Sequence, residues 1–407
     1  MRNSGVSKLL NHWDQMVLGN FELTKFTETA PVKKSGTRRL LLLSVSAGSG
    51  HVRAAEAILA HARADFPQLS VRHLDMMQLV PTLFKKIYSD LYMKLASGLP
   101  EAWGWLYRKT DHEPTGSLAA RLRRTIQQLC SRRLFDEIAE FKPDTIVCTH
   151  FLPAEILATA VVEGRLHCDV WVQVTDFDLH HFWLHQGVSG YFVANEELAF
   201  RLQQLGVPAY QIVISGIPVM PGFVNPPDRS SAAARLNINP LKTTVLMMGG
   251  GGGVGLQVSL VENLLTQHPD LQLIVMAGKN QTLLRSLQSV SDFYPERLRV
   301  IGFTNDVHSL MACADLAITK PGGLSTSECL VMGLPMLLVH PIPGQEERNA
   351  AFLMHEGVAM RADDPATLQF RLQRLLSDRD LLSRMRAHAY ALAKPKAAHE
   401  VLQRVIC

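Results

Sequence analysis

Continuous apolar runs alternate along this chain with stretches of helical periodicity. RRLLLLSV (38–45) is almost uninterrupted, as expected of a parallel strand buried on both faces. A glycine loop and an alanine-rich helix over about 52–65 follow it. VRHLD (71–75), TIVCTH (145–150), DVWVQVTD (169–176) and YFVAN (191–195) read as further strands, with a long helical region reaching about 140 among the helices between them. The pattern restarts at TTVLMMGGGGG (243–253), again strand then glycine loop, and continues through LQLIVMAG (271–278), LRVIGF (298–303), DLAITKPGG (315–323) and PMLLVHP (335–341). A helical tail runs from about 364. Two successive strand–glycine loop–helix blocks predict an α/β protein of two doubly wound domains facing a cleft. The expected layout is a mobile leader (1–36), a first domain (37–213), a proline-rich linker (214–228), a second domain (229–385) and a helical tail (386–407).

Composition narrows the class. A chain of 407 residues suits two domains of about 200 each. With 47% hydrophobic and 19% charged residues it has globular proportions, which excludes a disordered, collagen-like or coiled-coil chain. No apolar run reaches the roughly 18 residues of a membrane span, and the N-terminus lacks the apolar stretch of a secretory signal. Cys130, Cys148, Cys168, Cys313, Cys329 and Cys407 form no CxxC pair, a usage that fits a reducing cytoplasm. The net charge of +4 does not point to nucleic acid.

The chemistry is concentrated in the loops after strands. Gly250, Gly252 and Gly255 spell GxGxxG, but the next strand ends in Ala277-Gly278, without the acidic residue a dinucleotide site needs there. The glycine run containing Gly250, Gly251 and Gly252 is longer than a turn requires, and bare backbone before a helix N-terminus suits a phosphate-bearing ligand. At the end of strand DLAIT, Gly322, Gly323, Ser325 and Thr326 can offer N–H and hydroxyl donors to a diphosphate. Glu328 follows Ser325 on the same helix face, where its carboxylate can accept both hydroxyls of a ribose. One loop later, Gln345 and Glu346 carry groups that hydrogen-bond sugar hydroxyls. In order and at successive strand ends, these motifs favour a nucleotide sugar.

SVSAGSGHVRAAEA (44–57) and TKPGGLSTSECLVMGLPMLLVHPIPGQEERNAAFL (319–353) resemble the monogalactosyldiacylglycerol synthase family. They are also similar to bacterial diacylglycerol glucosyltransferases and, more distantly, to the MurG peptidoglycan transferase. The resemblance spans about residues 40–385 and implies a GT-B fold of two Rossmann-like domains. It further implies inverting, metal-independent transfer of a hexose, galactose in preference to glucose, from a UDP-sugar to 1,2-diacylglycerol. Phe303 (backbone toward uracil), Gly322, Gly323, Ser325, Thr326, Glu328, Gln345 and Glu346 carry over as donor residues. The first glycine loop ends in His51, at the expected start of a helix whose N-terminus disfavours the imidazolium and leaves a neutral base. Asp176 and Asp178 form a DxD beside His180 and His181; it lies in the half without donor motifs and is read as acceptor-side or structural, with no metal and no cofactor expected.

Between Gln78 and Arg133 lie ten Lys and Arg against four acids. Lys85, Lys86, Tyr88, Tyr92 and Lys94, with Trp103 and Trp105 further on, pair aromatic rings with basic neighbours, as suits the headgroups of an anionic membrane. The expectation is a cytoplasmic enzyme bound peripherally to the cytoplasmic leaflet, with UDP-galactose or UDP-glucose, diacylglycerol and anionic lipids as partners. A UDP-sugar enzyme on a soluble substrate, such as an epimerase, and a catalytically idle UDP-sugar binder remain as alternatives.

Overall fold

A computed structural model describes residues 38–46, 48–80, 132–249 and 256–406. Its first sheet holds β1 (Arg39–Ser44), β2 (Ser70–Asp75), β3 (Thr145–Cys148), β4 (Asp169–Gln173), β5 (Gly190–Phe192) and β6 (Ile212–Val213), all parallel, in the order β2-β1-β3-β4-β5-β6. The second holds β7 (Thr244–Met248), β8 (Gln272–Gly278), β9 (Leu298–Gly302), β10 (Leu316–Thr319), β11 (Met336–Val339) and β12 (Ala359–Ala362), in the order β12-β11-β10-β7-β8-β9. Chain direction of the strand order reverses between β1 and β3 in one sheet and between β7 and β10 in the other, and ligands of such sheets bind at these reversals.

The apolar runs form strands for the reason their pattern suggests. Leu40, Leu41, Leu42 and Leu43 of β1 are all buried, yet they serve two faces. Leu41 and Leu43 enter a core shared with Leu246, Met248 and Ala317 of the second sheet, while Leu40 and Leu42 pack with Ala55, Ile58 and Val401. The shared core joins the two sheets' inner layers, so the domains meet through continuous apolar contact. A separate cluster around Val245, Met247, Leu273 and Leu372 fills the outer layer of the second sheet.

Five helices position the site and its supports: α1 (Ser49–Asp65), α2 (Phe151–Val162), α3 (Gly323–Val331), α4 (Gln345–His355) and α5 (Ala397–Ile406). β6 and β12 were not among the expected strands; β6 has two residues, and Ala-Met-Arg-Ala of β12 has no apolar run and is recognisable only by its pairing with β11. The proline-rich stretch contains a one-turn helix, Pro221–Val224, and buries Ile217, Val219 and Phe223. The end of the chain crosses back: Val401, Leu402 and Val405 of α5 join the core that covers β1 and α1. At that crossing Gly216 has φ 89° and lies under Lys394, where a Cβ would stand 2.3 Å from the lysine Cβ. Only glycine fits both constraints.

Candidate active site

α1 begins immediately after the β1 loop, capped by Gly48 without a side-chain hydrogen bond and with no acid in its first turn. Its first N–H groups are therefore left without a partner carboxylate from the helix's own first turn. His51 lies in that first turn. Its Nδ1 sits 2.9 Å from the Thr149 carbonyl and 2.8 Å from Thr175 Oγ1. A carbonyl only accepts, so Nδ1 carries the proton and the lone pair lies on Nε2. Thr149 Oγ1 in turn donates to the His51 carbonyl at 2.8 Å, fixing the helix start to the end of β3. Burial pulls the His51 pKa down to about 4, partly offset by the Thr149 hydrogen bond. The ring is neutral at physiological pH and packs edge-on against His150, with ring centres 4.6 Å apart. These contacts give a neutral, oriented imidazole with Nε2 in base form.

The second domain closes on this point. A Cβ on Gly323 would lie 2.0 Å from the Thr175 carbonyl oxygen, so α3 begins against the strand end that holds His51. Gly50 approaches Leu324, its Cβ position 3.7 Å from the leucine Cβ. Arg53, one turn into α1, reaches Asn305 Oδ1 at 3.5 Å across the cleft while pairing with Glu56 at 2.9 Å. α3 is capped by Gly322 with no side-chain cap and no first-turn acid, so a second helix N-terminus opens beside the first, with the Glu346 carboxylate next to it, one oxygen 3.7 Å from where a Gly322 Cβ would stand.

The expected site residues separate by environment. Thr326 is fully buried and its hydroxyl donates to the carbonyls of Gly322 and Gly323, at 2.9 and 3.1 Å, so it braces the turn from inside. Ser325 is partly exposed at the same turn. Glu328 is buried at 7% exposure; burial raises its pKa to about 8, with the Arg53 charge pulling it partly back. Phe303 stands 58% exposed just past β9, with Lys279 Nζ 5.0 Å from its ring centre. Glu346 accepts from the Ile342 N–H at 2.7 Å and pairs with Lys320 at 3.5 Å. Gly250, Gly251 and Gly252 lie outside the described residues, as do Lys85, Lys86, Tyr88, Tyr92, Lys94, Trp103 and Trp105.

Gln345 and Asp176 meet across the cleft. Gln345 Nε2 is 2.7 Å from both Asp176 oxygens, and Asn349 Nδ2 is 3.3 Å from one of them. Asn349 also accepts from the Phe177 N–H at 2.9 Å and donates to the Pro321 carbonyl at 3.1 Å, bridging the two domains' loops. Asp176 is buried, which raises its pKa to about 6 against the pull of the Gln345 and Asn349 amides. Asp178 turns instead to Arg201 at 2.8 Å and Arg348 at 3.5 Å. The two carboxylates of the DxD thus face different partners and do not converge.

Sequence reasoning did not single out Thr149 or Arg53. Thr149 had one signal available: it directly follows β3, beside the reversal in strand order. Arg53 had none, because its partner lies more than 250 positions away.

Opposed crevices of two doubly wound sheets define the GT-B fold of glycosyltransferases, and this chain has that fold. It superposes on MurG of Acinetobacter baumannii with a TM-score of 0.59 at 18% identity, covering 91% of this chain and 99% of that one. An S. aureus MnaA–UDP structure gives 0.61 at 13% identity, covering 90% and 96%. Residues 51–219 match the monogalactosyldiacylglycerol (MGDG) synthase family and residues 244–402 the glycosyltransferase family 28 C-terminal domain; the chain belongs to this group of glycosyltransferases. Among curated proteins it is 28% identical to the processive diacylglycerol beta-glucosyltransferase of Bacillus licheniformis over 91% of this chain and 94% of that one. The protein of the same name from Bacillus subtilis is also 28% identical, over 91% and 95%.

Proposed function

We propose that this chain transfers glucose from UDP-glucose to the free hydroxyl of 1,2-diacylglycerol with inversion at the anomeric carbon. The resemblance to galactolipid synthases favours galactose; the relatives that align over nine-tenths of the chain are named for glucose, and the proposal follows them. The observation that carries the reaction class is His51, a neutral imidazole with Nε2 in base form, beside the uncapped start of α3.

In the proposed step His51 Nε2 takes the proton of the acceptor hydroxyl as its oxygen attacks C1 of the sugar from the face opposite the diphosphate. The C1–O bond to phosphorus breaks, and the electron pair leaves with UDP. The N-termini of α3 and of the helix after the glycine run stabilise that charge, so the mechanism assigns the task to backbone N–H groups and not to a metal. Glu328 would hold the ribose hydroxyls, and Phe303 would border the uracil. The test is direct: supply diacylglycerol in mixed micelles with UDP-glucose or UDP-galactose and identify the lipid product by mass. A monoglucosyl lipid formed faster from UDP-glucose is expected. A chain that binds UDP but makes no lipid product from either donor would overturn the reading.

Diacylglycerol does not leave the bilayer, so the acceptor cleft must come to it. No described helix is long and apolar enough to cross a membrane. We place the enzyme peripherally on the cytoplasmic leaflet, held by the basic and aromatic stretch, at about 1 kcal/mol per basic residue near the surface. Changing Lys85, Lys86 and Lys94 together to Glu is expected to release the protein from anionic vesicles at low salt and to lower activity on vesicle-borne lipid. Equal sedimentation of variant and wild type would remove this face from consideration.

A further inference from the structure

The last helix, α5, rests on α1 at a cluster that the transfer reaction does not use. His61 and Asp65 stand one turn apart on α1, and His399 approaches them from α5. His399 Nε2 lies 2.9 Å from Asp65 Oδ2, and His61 Nδ1 lies 3.6 Å from the same oxygen. The three ligand atoms all fall within 4.8 Å of one another, the only such group of three among the described residues.

The hydrogen bonding of His61 determines what faces the carboxylate. Its Nε2 is 3.2 Å from the Val219 carbonyl, an acceptor, so the proton of the neutral ring belongs on Nε2. Nδ1 then presents a lone pair to a carboxylate oxygen, two electron-rich atoms that need a cation between them. A histidine whose other nitrogen donates to a backbone carbonyl is the usual arrangement of a metal ligand.

We propose that His61 Nδ1, Asp65 and His399 Nε2 form a binding site for a divalent transition metal, with Zn²⁺ the best match to two imidazoles and a carboxylate. Bonds of about 2.0–2.1 Å to zinc put tetrahedral ligand atoms roughly 3.3 Å apart, between the two histidine–Asp65 spacings of 2.9 and 3.6 Å, while the two histidine nitrogens lie within 4.8 Å of each other. Water completes the fourth position. The ion is structural: His61 is ten residues beyond His51 on α1, about 15 Å along the helix. It fastens α5 to α1, and through the Val219 carbonyl it also reaches the segment that joins the two domains.

The test uses the full chain, stripped with EDTA, dialysed and titrated with Zn²⁺ against a chromophoric chelator. One tight site per chain is expected, with a Tm that rises on adding Zn²⁺ and initial transfer rates at 25 °C unchanged by EDTA. His399→Ala and Asp65→Asn, both at partly exposed side chains that tolerate substitution, should weaken the tight site at least about 100-fold and abolish the Tm rise. His399→Cys, which supplies another zinc ligand, should restore part of each. Equal Zn²⁺ affinity and Tm response in wild type and variants, or no 1:1 binding, would overturn the proposal; in that case the cluster is an ion pair between helices.

Discussion

Replacing His51 with Ala is expected to lower kcat by roughly 10²–10⁴ while leaving UDP affinity within about twofold, the pattern of a lost general base. The reason lies in the tautomer. Thr149 and Thr175 both engage Nδ1, so Nε2 is the only nitrogen that can receive the acceptor's proton. Burial holds the ring's pKa at about 4, so the free enzyme's base is unprotonated from about pH 5 upward. The kcat/KM profile of wild type should accordingly show no histidine limb near 6.5, the ordinary value. Thr175→Val should cost less than His51→Ala, because the Thr149 carbonyl still holds the ring. Activity of His51→Ala within about threefold of wild type would move the base elsewhere.

His51 was legible in the sequence because a glycine loop after an apolar strand announces a helix start at the mouth of an open sheet. The same logic found α3 and α4, since each follows a buried strand directly. What it could not supply is the other end of each contact. Gln345 reads as a sugar ligand from its motif, yet its amide lies on Asp176, 169 positions earlier in the chain. Thr326 and Ser325 are chemically alike and adjacent, and only the helix phase shows that Thr326 turns inward to its own backbone. Gly323 reads as a phosphate cradle; its nearest neighbour is the Thr175 carbonyl, so the missing side chain also lets two domains touch. Local periodicity predicts elements, and domain closure selects which of their residues meet. The return of α5 to the first domain is of the second kind: its apolar stripe is visible, but nothing local says which sheet it covers.

Glu328→Ala is expected to raise the donor KM by at least about two orders of magnitude, since a carboxylate that accepts hydrogen bonds from two hydroxyls makes two charge-assisted bonds worth roughly 1.5–3 kcal/mol each, net of those to water. Its environment adds a pH signature. Burial lifts the Glu328 pKa to about 8, and Arg53 across the cleft is the charge that opposes the shift. Below that value the free enzyme carries mostly the acid, which must give up its proton before it can accept from both hydroxyls. Donor affinity should therefore rise as pH increases from 7 to 9, and the rise should vanish in Glu328→Gln. Arg53→Ala removes the stabilising charge, so it should move the same transition to higher pH while leaving the group itself in place. The measurement is UDP affinity as a function of pH by calorimetry, which is independent of the chemical step and of His51. A wild-type affinity that is flat across this range, together with an unchanged KM in Glu328→Ala, would assign the ribose to another residue.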